Sequence, residues 1–512
     1  MTTPLLHLVS GFALLGSSLV AAPEPLVVFC AAGLKTPVEA AAARYRQETG
    51  TEIRLQFGGS GTLLGQLRVG GTGDLLIAAD SGTAGDARRL GVAGEDLPIL
   101  VQRAVIAVAR GNPLKIAALP DLLKPGVRFA FANPEAASVG KITRTAAGGR
   151  WAEFVARVTV MKPTVPELAA DLSLGALDAA VVWDSVVRQF PRIETAAVLA
   201  TPAEQAHALV LDASKQATAA LRFARWLAAP DKGGSILREN GFELPAGNDS
   251  WAERPELVIY SGGVNRLALE PLLRRFAERE EVELTTVFNG CGILCASMQA
   301  MLKSAHPKFP DAYYACDLCF MPPVAAQFPE AAILTETDIG IAVPKANSRQ
   351  LATLADLARP GLRLGLCNAQ QSTLGFMTNG LLRDTGVEAA VRRNVVVEVP
   401  TADFLINQLR VGALDAVIVY RVNAIPQSAH FTFIPIKHAG AKAVQPFAVW
   451  KDSPRRQLAG RLLDFLRKNQ AAFEKAGFVW RGDTPPVQTS QIELPPWLKP
   501  QSGAKPAPPT DS

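Results

Sequence analysis

The chain has 512 residues, a net charge of +5 and 48% hydrophobic content, enough to bury more than one core without disulfides. The positive charge is spread out, with no basic run and no aromatic–basic stripe, which argues against nucleic acid as a partner. Beyond the N-terminus no apolar run approaches the roughly 20 residues that span a bilayer, so membrane contact is expected only through another protein.

An apolar stretch over residues 5–20 leads into Val20-Ala21-Ala22 ahead of Pro23, the small-residue pattern of a secretory signal, here assigned to residues 1–22. No Cys follows that stretch, so a lipid anchor is not indicated, and the expected location is the periplasm or another exported compartment. From residue 26 short β-branched runs alternate with helical segments. The run 26–29 precedes a helix over 37–49 and a strand over 52–57. A Gly-rich turn then opens a helix containing 62–69, before the apolar run 75–78. This βαβαβ order predicts a parallel sheet with right-handed crossovers. Runs at 104–109, 128–132 and 179–183 imply a second αβ lobe. The chain then returns through 206–211 to a helix near 217–228. Two lobes joined by crossing strands leave a cleft, and ligands of open α/β sheets sit beyond the carboxyl ends of the strands.

The whole unit then occurs again. Leu26-Val-Val-Phe29 returns as Leu257-Val-Ile-Tyr260, and Phe57-Gly-Gly-Ser-Gly61 as Phe288-Asn-Gly-Cys-Gly292. Gly175-Ala-Leu-Asp178 returns as Gly412-Ala-Leu-Asp415, and the offsets stay between 231 and 237. That period is far too long for a solenoid and fits two full domains in tandem. The domains are placed at 25–247 and 254–482, with a short turn-prone linker at 248–253. Residues 483–512, rich in Pro, Ser and Gln, are expected to form a disordered tail.

The strand ends carry the chemistry. Gly58-Gly59-Ser60-Gly61-Thr62 follows a strand and opens a helix, offering amides and a hydroxyl to an anion without any formal positive charge. Cys30-Ala-Ala-Gly33 ends the first strand, Ala78-Ala79-Asp80 the third, and Asn133-Pro134 follows another. Taken together, Val28-Phe-Cys-Ala-Ala-Gly-Leu34, Phe57-Gly-Gly-Ser-Gly-Thr-Leu63, Asp74-Leu-Leu-Ile-Ala-Ala-Asp80, Asn133-Pro134-Glu135 and Ala180-Val-Val-Trp183 resemble the type II periplasmic solute-binding proteins. The resemblance is to the molybdate/tungstate-binding group of ABC importers, and it covers nearly all of both copies. It implies an α/β fold of two tandem periplasmic-binding-protein-like domains, each with two αβ lobes around a central cleft. It also implies a non-enzymatic protein without a cofactor, which binds a small oxyanion and has an ABC permease and ATPase as partners.

By that resemblance the oxyanion contacts fall on Gly33, Ser60, Ala79, Val165 and Trp183 in the first copy. In the second they fall on Val264, Cys291, Cys316, Ala402 and Tyr420. The family's first-loop hydroxyl is replaced by Gly33 and Val264. Its aromatic hydroxyl survives as Tyr420 but becomes Trp183, which offers only an indole N–H.

Five of the six cysteines lie in the second copy: Cys291, Cys295, Cys316, Cys319 and Cys367. Three readings compete. An exported compartment favours disulfides, with Cys291–Cys316 the foremost pair. Cys-x3-Cys and Cys-x2-Cys converging on one cleft would let Cys291, Cys295, Cys316 and Cys319 hold a soft metal. Cys316-Asp-Leu-Cys319 could act in thiol redox chemistry, although it sits at a strand end. The alternative to an oxyanion carrier is therefore an exported soft-metal-binding or thiol-dependent protein working through the second cleft. No Ser/His/Asp set or paired-carboxylate motif is defensible from the sequence. Asp80 and Asp317 read as caps or turn residues.

Overall fold

The computed structural model describes residues 24–304, 308–494 and 496–498; the secretory segment expected at 1–22 lies outside them. In the first domain the strands are β1 (Leu26–Ala31), β2 (Ile53–Gly58), β3 (Leu75–Ala78), β4 (Ala93–Gln102), β5 (Ala104–Ala109), β6 (Phe129–Ala132), β7 (Val160–Lys162), β8 (Ala179–Trp183), β9 (Ile193–Val198) and β10 (Glu204–Leu211). They form one five-stranded sheet per lobe, ordered β2-β1-β3-β10-β4 and β7-β6-β8-β5-β9. β1 runs parallel to β2 and β3, as the βαβαβ pattern requires, whereas β10 returns antiparallel between β3 and β4. β3 and β8 are buried along their whole length, the near-continuous apolar runs of a sheet covered on both faces. β2 alternates because it lies at an edge. The chain passes between lobes at Arg103, which separates β4 from β5, and returns between β9 and β10.

The second domain repeats this plan with β11 (Glu256–Gly262), β12 (Glu283–Asn289), β13 (Ala312–Tyr314), β14 (Glu330–Pro344), β15 (Leu364–Cys367), β16 (Val395–Val399), β17 (Ala416–Tyr420), β18 (Phe431–Pro435), β19 (Lys442–Val449), β20 (Val479–Trp480) and β21 (Val487–Gln488). Here the crossing element is one uninterrupted strand. β14 pairs with β19 in the first lobe and with β17 and β18 in the second, so the two lobe sheets merge.

The disordered tail expected at 483–512 needs correction where it is described, and its residues 499–512 lie outside the described residues. β21 pairs with β14 at Glu330 and Ala331, and Thr489 is fully buried, its hydroxyl donating to the Phe328 carbonyl at 2.6 Å. Leu498 also enters the second core. Composition suggested solvation, but β14 presents an edge that the segment satisfies. The linker is likewise structured. The Asp249 carboxylate accepts the Gln457 and Leu458 amides at 3.0 Å each, serving the N-terminus of the helix Arg456–Lys468 in the other domain.

Glu280 lies in the domain interface, where its carboxylate accepts both Nε (2.7 Å) and an Nη (3.0 Å) of Arg461, with Arg225 3.9 Å away. All three side chains are at least nine-tenths buried. Arg279 grips Glu95 bidentately across the same seam at 2.7 and 2.8 Å. Among the described residues no helix is long and apolar enough to cross a membrane.

Candidate functional site

Three helices of the first domain point their N-termini into the cleft: Ser60–Arg68 from one lobe, and Ser138–Ala147 and Val165–Ser173 from the other. None has a side chain bonded at its N-cap, where Gly59, Ala137 and Thr164 stand. Aligned peptide dipoles make each terminus mildly positive. Between them lies a cavity of about 20 Å³, room for one small polyatomic ion or a water. Gly33, Ser60, Ala79, Val165 and Trp183, chosen by resemblance alone, all line it. No Lys or Arg does. Lys141 and Arg144 are occupied elsewhere, with Asp86 at 3.9 Å and Glu135 at 3.1 Å.

Ser60 is 2% exposed, and its Oγ accepts the Ala79 amide at 3.1 Å, leaving its own O–H to be directed into the cavity. The Ala79 carbonyl accepts from Gln102 Nε2 at 2.8 Å, and Gln102 Oε1 accepts from the Ser185 hydroxyl at 3.2 Å. Fully buried Gln102 thus ties a cleft strand of one lobe to the other lobe at the crossover. The lobes also touch directly. Gly61 and Thr62 donate their amides to the Ala136 carbonyl at 3.0 and 3.2 Å. A Cβ on Gly59 would lie 2.3 Å from that carbonyl oxygen, and one on Gly61 2.6 Å from the Glu135 oxygen. Glycine is required here for close approach. Gly33 is not required by space, since a Cβ on it would meet Val186 at 3.4 Å and Trp183 at 3.7 Å, ordinary contact distances.

Sequence reasoning missed Ser138 and Gln102. Ser138 is a buried hydroxyl lining the cavity, and its signal was a Ser opening a helix just after Asn133-Pro134. Gln102 carried no signal, because a lone polar residue at a strand end reads as exposed.

The second cleft has the same frame, with helices Cys291–Lys303, Thr373–Asp384 and Ala402–Arg410 again lacking N-cap side-chain bonds. Val264, Ala402 and Tyr420 are all buried within it. Cys316 donates its amide to Cys291 Sγ at 3.1 Å, reproducing the Ala79–Ser60 bond, and the two Sγ atoms are 2.9 Å apart. Gly262 stands where the first copy has Ala31, and a Cβ there would lie 2.2 Å from Cys316 Sγ. Small residue and large sulfurs have changed together. Thr373, the counterpart of Ser138, faces the same pair. The Cys316 carbonyl is held by Gln445 Nε2 at 3.0 Å, the contact that Gln102 makes to Ala79, now delivered from β19 instead of the crossing strand.

Burial pushes the Cys291 thiol up, but the Cys316 contacts and the nearby Tyr313 and Thr373 hydroxyls outweigh it and hold the thiol below its ordinary range. Its bond with Cys291, followed by burial, drives Cys316 well above that range. The two thiols of the pair are thus pushed in opposite directions. The Tyr420 hydroxyl, 3% exposed, has no hydrogen-bond partner among the described residues.

The expected four-thiol metal set is not assembled. Cys295 turns to the Tyr313 hydroxyl (3.7 Å) and the Phe320 carbonyl (3.4 Å), and burial pushes it up to about 12. Cys319 packs against Asp317, whose carboxylate accepts its amide at 2.9 Å, and it too is raised well above its usual range by burial. Among the described residues no group of three or more His, Cys, Asp or Glu side chains is placed to hold a metal ion. Cys295 follows Cys291 by one helical turn on the same face, but its sulfur is engaged by the Tyr313 hydroxyl and the Phe320 carbonyl. Cys30 and Cys367 are buried thiols, and all six cysteines are unlinked in the structure.

One serine–histidine–aspartate chain does form. Ser81 Oγ lies 3.2 Å from His207 Nε2, and His207 Nδ1 2.6 Å from Asp96 Oδ1. The Glu204 carboxylate accepts the Ser81 amide at 3.4 Å, placing negative charge where an oxyanion would need a donor. The chain works as a strap across β4 and β10.

Both halves match one family, the bacterial extracellular solute-binding proteins, over residues 26–243 and 257–479. The chain belongs to that family. A 162-residue stretch is 27% identical to a Haemophilus influenzae protein named as a binding protein, covering 31% of this chain and 66% of the relative. A 111-residue stretch is 31% identical to the molybdate-binding protein ModA of Mycobacterium tuberculosis, covering 21% of this chain and 42% of that protein. The chain therefore spans under two thirds of either relative. Among solved structures, the Azotobacter vinelandii periplasmic molybdate-binding protein is similar at 20% identity and a TM-score of 0.38, over 43% of this chain and 99% of that one.

Proposed function

We propose that the protein is an exported carrier that captures a small tetrahedral oxyanion of the molybdate or tungstate type in its first cleft and presents it to an ABC importer of permease and ATPase. The observation that carries this reading is the convergence of three uncapped helix N-termini and the Ser60 and Ser138 hydroxyls on one small cavity without a cationic side chain. Neutral donors can replace an anion's hydration shell, each hydrogen bond to the charged group contributing roughly 1.5–3 kcal/mol. The relatives named for molybdate support the choice of ion. No step of covalent chemistry is needed.

Thermal shift of the full chain against molybdate, tungstate, sulfate, phosphate and chromate tests the reading, followed by calorimetry with the best ligand. Ser60→Ala should weaken that ligand about tenfold or more, roughly 1.4 kcal/mol. Unchanged affinity would remove Ser60 from the site. Because no cation neutralises the ion directly, affinity should fall only modestly between low and moderate salt. A steep loss that disappears on replacing Lys141 and Arg144 would overturn the neutral-donor mechanism.

A further inference from the structure

Solute capture in the first cleft leaves the thiol pair of the second without a role. Its sulfurs stand on the two strand-end and helix-start positions that Ala79 and Ser60 occupy in the first domain, and they are 2.9 Å apart on one side of the cleft. Gly262 is stripped of the Cβ that would collide with them. Above them, the Tyr420 hydroxyl is buried and unpartnered, a polar group that needs an oxygen or nitrogen atom brought from outside. Thr373 supplies a second hydroxyl beside the pair. Cys295 is engaged by the Tyr313 hydroxyl and the Phe320 carbonyl, and among the described residues no three Cys, His, Asp or Glu side chains are placed to hold one ion, so the site offers two sulfurs and not four.

We propose that the second cleft binds a thiophilic trivalent oxyacid of the arsenous-acid class, through Cys291 and Cys316 Sγ, with the oxygen left on the bound centre meeting the Tyr420 hydroxyl. The exchange needs no oxidant. Two arsenic–sulfur bonds form and two arsenic–oxygen bonds break. The two departing hydroxyls leave as water, each with one thiol proton, and arsenic stays trivalent. Geometry selects this class over a bare soft cation. A tetrahedral ion with metal–sulfur bonds of about 2.3 Å spreads its sulfurs to about 3.8 Å and asks for four ligands. A linear two-coordinate ion needs sulfurs on opposite sides. A pyramidal centre with angles near a right angle takes two sulfurs from one side at the shortest separation, and it retains an oxygen for Tyr420. Cys291, the thiol of the pair held below its ordinary range, is the first to exchange. Both sulfurs are covered in the closed form, so entry requires the lobes to part. The only amide donated from Cys291–Lys303 to the other lobe's carbonyls among the described residues, Ile293 to Gln371, is long at 3.4 Å.

This inference rests on the second cleft being a ligand site of the same kind as the first, and it stands whatever anion the first cleft holds. The test uses the full chain, reduced with a phosphine, freed of reductant without air, and mixed with arsenite. Arsenite should bind with one-to-one stoichiometry, remove two thiols from native Ellman titration, raise the melting temperature and give sulfur-to-arsenic absorbance in the near ultraviolet. Cys291→Ser and Cys316→Ala should each abolish these changes. Both place in the second cleft a side chain the first cleft already accommodates, and unchanged far-ultraviolet circular dichroism checks the fold. Tyr420→Phe should keep the two-thiol signature and weaken affinity about tenfold. An unchanged thiol count with arsenite, equal binding by Cys316→Ala, or a Cys291–Cys316 disulfide that persists through phosphine treatment of the folded protein would each overturn the proposal. Molybdate affinity, scored separately on Ser60→Ala, reports on the first cleft alone.

Discussion

At the scale of single residues, three exchanges create the sulfur pair of the second cleft: Ala31, Ser60 and Ala79 against Gly262, Cys291 and Cys316. A thiol is a weak donor with a larger radius, so the second cleft loses hard-oxyanion donors and gains soft atoms in the same frame. The full chain should therefore bind molybdate at one site only by calorimetry. The triple substitution Gly262→Ala, Cys291→Ser, Cys316→Ala should add a second site, since Tyr420 and Thr373 remain as hydroxyl donors. Stoichiometry unchanged in the triple variant would mean that other parts of the second cleft exclude the ion. Ser138→Ala tests the hydroxyl that motif reading passed over, with an expected loss of about tenfold in first-cleft affinity. Ser60 and Ala79 line one cavity and were legible by resemblance because both follow β-elements whose pattern is local. Ser138 escaped because its approach depends on how the second lobe folds over the first.

At the scale of elements, the Ser60–Arg68 helix meets the second lobe through glycines with no room for a side chain. Gly61→Ala, with a Cβ 2.6 Å from the Glu135 carbonyl oxygen, should hold the lobes apart. Small-angle scattering with saturating ligand should then show a larger radius of gyration than wild type, and affinity should drop about tenfold or more. A compact ligand-bound variant would show that closure does not use this contact. The Lys35–Thr49 helix is tied down near its end by Glu48, which accepts from Arg44 at 2.8 Å, Lys232 at 2.9 Å and the Trp226 indole at 3.1 Å. Those bonds pull its carboxyl down to about 2 from an unfolded value near 4.3. A depressed carboxylate contributes stability that is complete above the unfolded value and lost as pH falls towards 2. Glu48→Gln should therefore lower the melting temperature at pH 6 and flatten its decline between about pH 4.5 and 2. Parallel melting curves for the two proteins over that range would exclude this role.

At the scale of the whole molecule, two solute-binding domains are joined by a buried Arg225–Glu280–Arg461 cluster, the Arg279–Glu95 fork and the Asp249 cap. Removing the shared carboxylate leaves two buried guanidinium groups facing each other. Glu280→Gln should cost roughly 3–5 kcal/mol, read as a lower denaturation midpoint or as a split into two transitions. A single transition at the wild-type midpoint would show that the cluster contributes nothing net. The domains would then be held by the linker and the remaining seam contacts.

The sequence by itself determined the duplication, the two-lobed α/β plan and the place of the clefts. Each follows from local periodicity and from glycine-rich strand ends, which repeat at nearly constant offset. It could not decide which cysteines meet. Cys291 and Cys316 are 25 apart and touch, because β13 returns beside the start of Cys291–Lys303, whereas the Cys295 sulfur rests on the Tyr313 hydroxyl and the Phe320 carbonyl. Nor could composition show that residues 487–489 pack against the second domain, since the partner edge on β14 and the Thr489 pocket exist only once the sheets have assembled. Chain-local patterns settle which elements form. Partners far apart in sequence are settled only by the packing that brings them together.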